Sequence, residues 1–198
     1  STAAVYGIPE TGTASEESPT QPINPYGSSK LMTEWMLRDV AASTSLNYVA
    51  LRYFNVAGCD PGGRIGLSDV TSTLLTKAAC EAATGKREKL YLFGTDYDTP
   101  DGTALRDYIH VEDLASAHLA ALTYLRKGGS SITLNCGYGH GYSVREVIAA
   151  VEKAHGAAIP VEESPRRAGD PPILIAAANK IRQVLDWEPR HDDLDQIW

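Results

Sequence analysis

The sequence predicts an α/β protein built on a parallel sheet, and three observations carry that reading. Strand-like runs such as "NYVALRYFNVAG", "KLYLFG" and "SITLNCG" alternate with helical runs along the 198 residues. The helical runs open with capping residues: Asn24 and Pro25 before one, the Ser143/Glu146 pair before another. A composition of 43% hydrophobic and 22% charged residues places the chain among ordinary globular proteins.

In chain order, "STAAVYG" reads as the end of a buried strand at Val5 and Tyr6, with Gly7 as its turn. Residues 8–23, rich in prolines and acids, read as a surface loop. A helix over "NPYGSSKLMTEWMLRDVAAS" follows, then the buried strand "NYVALRYFNVAG" and a flexible "PGGRIG" connection. A helix around "TLLTKAACEAAT" leads to the short strand "KLYLFG". The segment "GTDYDTPDGTALRDYIHVEDL" reads as a turn-rich loop entering the helix "VEDLASAHLAALTYLRKG". After the strand "SITLNCG" come the capped helix "SVREVIAAVEKAHG", a last strand "IPVEES" and the "PRRAGDPP" stretch. The helix "NKIRQVLDW" carries Ile181, Val184 and Leu185 on one face, and "LDQIW" reads as the start of another helix.

A net charge of −7 with no basic stripe argues against a nucleic-acid partner. No apolar run approaches the length of a membrane span, so no membrane partner is expected. Cys59, Cys80 and Cys136 are odd in number and lack CxxC spacing, which reads as reduced core or near-core thiols in a cytoplasmic protein. The five histidines show no ligand spacing; His110 and His118, eight apart on a helix, make a weak pair. No metal is expected.

Two stretches invite a functional reading. "LNCGYGHGYS" sits between strand and helix, with Glu162 downstream, and imitates a dinucleotide fingerprint. Tyr142 occupies the third glycine position, where close helix–strand packing needs glycine, so no dinucleotide is placed at Gly137, Gly139 and Gly141. "YGSSK" is different: Tyr26 and Lys30 are one helical turn apart and project from one face. A fixed ammonium there favours the phenolate, which suits a base taking a proton from an alcohol while hydride leaves the same carbon. Thr2, at the end of the preceding strand, could complete a Thr–Tyr–Lys set.

"STAAVYG", "NPYGSSKLMTE", "LRYFNVAG", "FGTDYDTPDGTALRDYIHVEDLA" and "PRRAGDPP", in this order, resemble the UDP-glucose 4-epimerase family within the extended short-chain dehydrogenase/reductases. The resemblance spans essentially the whole chain, and "FGTDYDTPDGTALRDYIHV" is its most specific part. It implies the second part of an NAD-binding Rossmann-type sheet with a smaller C-terminal α/β substrate domain. The Rossmann part would be mainly residues 1–55 and 107–135, and the substrate part mainly 56–106 and 136–198. It also implies that the chain is part of a longer enzyme whose glycine-rich NAD fingerprint lies upstream, so that this stretch alone would bind no NAD.

By the same resemblance, Tyr26 takes the sugar 4-hydroxyl proton, Lys30 supports it and reaches the nicotinamide ribose, and Thr2 bridges sugar and Tyr26. Tyr53 would reach the nicotinamide. Arg106 and Arg167 would hold the substrate pyrophosphate, with Asn55 adding a polar contact; Phe93 would lie against the uracil and Asp170 would accept from the uridine ribose. The implied reaction is transient oxidation of a UDP-hexose at C4 with NAD as cofactor, in a homodimer. Two positions depart from the family pattern. Thr73–Leu74 stands where many members have Asn or His near the diphosphate. Leu174, where bulk bears on N-acetyl sugars, favours UDP-galactose and UDP-glucose over the N-acetylated pair.

Three other functions use similar parts. A nucleotide-sugar 4,6-dehydratase needs an acidic pair just after the catalytic hydroxyl, where this chain has Ala3 and Ala4. A UDP-pentose or UDP-uronate 4-epimerase would use the same three residues. A non-catalytic nucleotide-sugar binder would have no need of them.

Overall fold

A computed structural model describes residues 1–69 and 71–197. The strands are β1 (Thr13–Ala14), β2 (Val49–Tyr53), β3 (Asn55–Ala57), β4 (Leu90–Phe93), β5 (Leu105–Arg106), β6 (Tyr108–His110), β7 (Ile132–Cys136), β8 (Tyr142–Ser143), β9 (Val161–Ser164) and β10 (Ile173–Ala176). The helices are α1 (Pro25–Ser43), α2 (Leu75–Ala83), α3 (Val111–Arg126), α4 (Val144–His155) and α5 (Asn179–Leu185). Tight 3-10 turns lie at Ala3–Tyr6 and Leu194–Gln196.

Parallel pairing dominates, as the alternating pattern predicts. β2 runs parallel to β7, β3 to β6, β4 to β9, and β10 to both β1 and β5; only β8 joins antiparallel. Two caps expected from sequence are present. Asn24 accepts from the Gly27 N–H at 2.8 Å at the head of α1, and Ser143 and Glu146 exchange both bonds of a capping box.

The apolar faces meet in separate cores. Leu51 and Leu134 of the β2–β7 pair pack with Leu114, Ala117 and Ala121 of α3 and Ile181 and Leu185 of α5. A second core joins α2, β4 and α4 through Ala79, Leu92 and Val151. A third packs Val5, Leu31, Phe54 and Leu174 together, and it lies beneath the candidate site.

Several expectations require correction. Val5 and Tyr6 do not end a strand: only Thr2 pairs, as a parallel bridge to Tyr53, and Ala3–Tyr6 then coil into a 3-10 turn capped by the Thr2 hydroxyl. The single strand over "NYVALRYFNVAG" is two. Phe54 N still donates to Cys136 O, but Asn55 N donates to Asp107 O at 2.9 Å, so the chain changes partner from β7 to β6. The supposed loop before α3 contains β5 and β6, and β10 follows "PRRAGDPP". These strands are two to four residues long, too short to show a period-2 pattern.

His110 is the N-cap of α3 rather than a helical residue, so its spacing to His118 has no meaning on a helix face. Cys136 is buried, while Cys59 and Cys80 are exposed; all three are free thiols. The helix expected at "LDQIW" is a single 3-10 turn over Leu194–Gln196, and Trp198 lies outside the described residues.

Candidate active site

The head of α1 is held hard against the 3-10 turn that follows Thr2. A Cβ on Gly27 would lie 2.5 Å from the Ala4 carbonyl oxygen and 2.9 Å from Pro22 Cβ, so only glycine permits this approach. The contact brings Tyr26 beside Thr2. The Thr2–Tyr53 bridge brings the end of β2 to the same place.

A buried polar network fixes these three elements together. Arg52, next to Tyr53 on β2, donates to both oxygens of Glu34 on α1 at 2.9 and 2.6 Å. The same guanidinium donates to the Tyr6 hydroxyl at 2.9 Å, which donates to Asn135 of β7 at 2.6 Å. Glu34 also accepts from the Ser1 hydroxyl. Its carboxyl is held below the usual carboxylate range by Arg52 and Ser1, against the opposing effect of burial. Composition and spacing could not reveal this pair, because Glu34 reads as one more polar residue on an exposed helix.

Between the head of α1 and the 169–174 segment lies a cleft of about 450 Å³. It brings together Thr2, Tyr26, Tyr53, Asn55, Arg106, Asp170 and Leu174, seven of the residues singled out from sequence. Leu74, from the Thr73–Leu74 stretch expected to depart from the family pattern, also lines it. Tyr26 is 53% exposed, and its hydroxyl makes no hydrogen bond among the described residues, so it is free to meet a ligand. Thr2 is buried, with its oxygen accepting from Ala4 N at 3.2 Å.

Three predicted residues lie outside that lining. The Lys30 ammonium sits 5.7 Å from the centre of the Tyr26 ring and faces an adjoining groove between α1 and α3. Arg167 stacks on Phe93, 5.0 Å from the ring centre, and pairs with Asp170 at 2.8 Å. These two therefore reach the cleft through Asp170. Neighbouring Arg166 is exposed and pairs with Asp96 at 2.7 Å.

Arg106 differs from both. It is half-buried, and Nη1 donates to the Leu105 and Pro172 carbonyls at 2.8 and 3.5 Å. No salt bridge involves it among the described residues. Burial pulls its pKa below the ordinary guanidinium value, with the Asp170 charge opposing. A half-buried guanidinium without a bonded carboxylate is a cation ready for an anionic ligand, within a chain that is otherwise acidic.

A second cluster, His110, Glu112 and His191, gathers ligand-type atoms within 4.8 Å of one another at the head of α3. His110 Nδ1 accepts from Glu112 N at 3.1 Å, which leaves the proton of the neutral ring on Nε2. The Nε2 edge packs against Gly58, where a Cβ would be only 2.4 Å away. Neither nitrogen offers a free lone pair to an ion. No helix among the described residues is long and apolar enough to cross a membrane.

Parallel α/β pairing, with a Tyr–Lys pair on the helix that abuts a threonine bridged to the end of β2, defines a Rossmann-type chain of the short-chain dehydrogenase/reductase class. Residues 1–137 match the NAD dependent epimerase/dehydratase family, and the chain belongs to that family. It is 58% identical over 197 residues to a UDP-glucose 4-epimerase of Azospirillum brasilense and 48% identical to one of Streptococcus mutans. All of this chain aligns in the first case, but only 57% of the relative; in the second the share of the relative is 59%.

Solved structures agree. A Bifidobacterium longum UDP-glucose 4-epimerase in complex with NAD⁺ and UDP superposes with a TM-score of 0.92 at 43% identity, covering all of this chain and 59% of that one. A UDP-Glc/GlcNAc 4-epimerase from Campylobacter jejuni gives 0.82 at 54% identity, covering 100% and 60% respectively. The chain thus spans about three-fifths of the relatives it matches.

Proposed function

We propose that the protein to which this chain belongs interconverts UDP-galactose and UDP-glucose by NAD-dependent epimerisation at C4, and that this chain supplies the proton-transfer and UDP-sugar groups. The observation that carries the reading is the placement of Tyr26 and Thr2 in the same cleft as the unpaired Arg106. A base for an alcohol and a cation for a diphosphate are what a UDP-sugar redox site needs from its protein.

In this mechanism Tyr26 takes the proton of the sugar 4-hydroxyl, Thr2 orients that oxygen, and Arg106 holds the diphosphate with Asn55 beside it. Arg167 joins Arg106 on the diphosphate, and Phe93 and Asp170 form the uridine end. NAD, when bound, supplies reversible hydride acceptance from C4. The donor set fits it: Lys30 makes no salt bridge or hydrogen bond among the described residues, which leaves its ammonium for ribose hydroxyls, and the Tyr53 ring opens into the cleft. An oxidised sugar would turn about its diphosphate anchor, and Tyr26 would return the proton to the 4-oxygen. The Leu174 side chain in the cleft lining offers no hydrogen-bonding group, which suits a sugar that must turn.

The test is Tyr26→Phe in the whole protein. Removing the proton carrier alone should cut turnover by about 10²-fold or more and leave UDP affinity unchanged. A variant that keeps more than about a third of the wild-type turnover removes Tyr26 from the chemistry. The same preparation should show higher kcat/KM for the UDP-galactose/UDP-glucose pair than for the N-acetylated pair, and equal values would overturn the role given to Leu174.

A further inference from the structure

The glycine run after β7 imitates a phosphate loop, and the fold shows what it cradles. The side chain of Asp107, fully buried between β5 and β6, points away from the cleft that its neighbour Arg106 lines. Its Oδ1 accepts from Tyr138 N at 2.9 Å, and its Oδ2 accepts from Gly139 N at 3.0 Å and Ala176 N at 3.2 Å. A Cβ on Gly137 would lie 2.7 Å from Oδ2, so glycine is required there for the carboxylate to enter. The anion in this loop belongs to the protein.

We propose that Asp107 is the positioning residue of the cleft, tying the Gly137–Gly139 loop and β10 to the strand that carries Arg106. Three residues of the cleft lining are one link away. Arg106 is its covalent neighbour, Asn55 N donates to its carbonyl at 2.9 Å, and its own N–H donates to the Leu174 carbonyl at 3.3 Å. The side chain adds the link to Ala176, two residues beyond Leu174 on β10. Arg106 has no carboxylate to hold it, so its position depends on the strands around it. A displacement of β10 against β5 moves the guanidinium and the 170–174 wall apart.

The assignment rests on the reading of the cleft as a UDP site. Both oxygens of Asp107 face N–H donors only, so Asp107→Asn turns an NH₂ toward a donor while keeping the shape. Asp113 supplies the control. It is equally buried and accepts from the Tyr138 hydroxyl, Arg190 N and His191 N at 2.7–2.9 Å; it shares Tyr138 with Asp107 but bonds neither β10 nor any residue that lines the cleft. Calorimetric titration with UDP at 10 °C, on variants shown folded by circular dichroism, separates positioning from stability.

Asp107→Asn should weaken UDP about tenfold, the loss of roughly one charge-assisted hydrogen bond. Asp113→Asn should lower the melting temperature while leaving UDP affinity within about twofold. Gly137→Ala, which presses on the same carboxylate from the other side, should also weaken UDP, and it serves if Asp107→Asn does not fold. Wild-type affinity in the folded Asp107→Asn or Gly137→Ala protein overturns the assignment, as does an equal loss in Asp113→Asn. Wild-type protein that takes up no UDP overturns the cleft reading, and the assignment falls with it.

Discussion

At the scale of single residues, the two arginines assigned to the diphosphate differ in what they must give up to bind it. Arg167 already has Asp170 at 2.8 Å and the face of Phe93, whereas Arg106 has only carbonyl partners. Arg106→Ala should therefore weaken UDP by about 1.5–3 kcal/mol, the value of a hydrogen bond between charged groups. Arg167→Ala should cost less, because the wild-type side chain exchanges one anion for another in solvent. Calorimetry with UDP at low ionic strength ranks the pair, and a larger loss at Arg167 would reverse the assignment.

A single residue also sets an acid response. Burial, and next the charge of His191, push the His110 pKa below its ordinary 6.5. A depressed histidine pKa means that the folded state prefers the neutral ring, so its contribution is present above 6.5 and lost as pH falls below that value. In that window the unfolded chain takes up a proton that the folded ring, whose Nδ1 accepts from Glu112 N, resists. At Asp107 two effects oppose each other: burial raises the pKa to about 6, while the Tyr138, Gly139 and Ala176 N–H donors favour the carboxylate. Asparagine caps a helix without titrating, so His110→Asn should lose less melting temperature than wild type between pH 7 and 5.5. Parallel curves by scanning calorimetry would rule out the cap as the sensor.

At the scale of elements, α1 shows local preference overruled by a contact. Helix propensity alone favours Gly27→Ala by about 1 kcal/mol. The Ala4 carbonyl and Pro22, 2.5 and 2.9 Å from the added methyl, make that change an overpacking, which costs about 1–3 kcal/mol. The net effect in urea unfolding should be destabilisation. Because the displaced turn carries Tyr26, turnover of the whole protein should fall as well. A stabilised Gly27→Ala variant would mean that the helix head moves freely.

At the scale of the whole molecule, the Glu34–Arg52 pair crosses from α1 to β2 and continues through Tyr6 to Asn135 on β7. Both partners are less than a tenth exposed. Removing one leaves an uncompensated buried charge, so Glu34→Ala should cost about 3–5 kcal/mol in urea unfolding. Replacing both, as Glu34→Leu with Arg52→Met, should recover part of that loss. If the double variant is no more stable than Glu34→Ala, the charges matter less than the packing of the site around them.

The α/β class, the two capped helices and the Tyr26–Lys30 turn were legible in the sequence alone. Those features are local: a cap, a helical period and a four-residue spacing lie within one element, where chain geometry alone decides which side chains meet. The sequence also named seven of the residues that line the cleft, through motifs whose order it preserves, while Lys30, Phe93 and Arg167 lie outside that lining. Tertiary structure decided the rest. Strands as short as β5 and β6 have no pattern of their own and exist because Asn55, Leu174 and Pro172 offer them backbone partners. Whether the glycine run at 137–141 cradles a phosphate or a side chain depended on Asp107, thirty residues away in the chain. Arg106 and Arg167 look alike in sequence and differ only in the partners that folding brings to them.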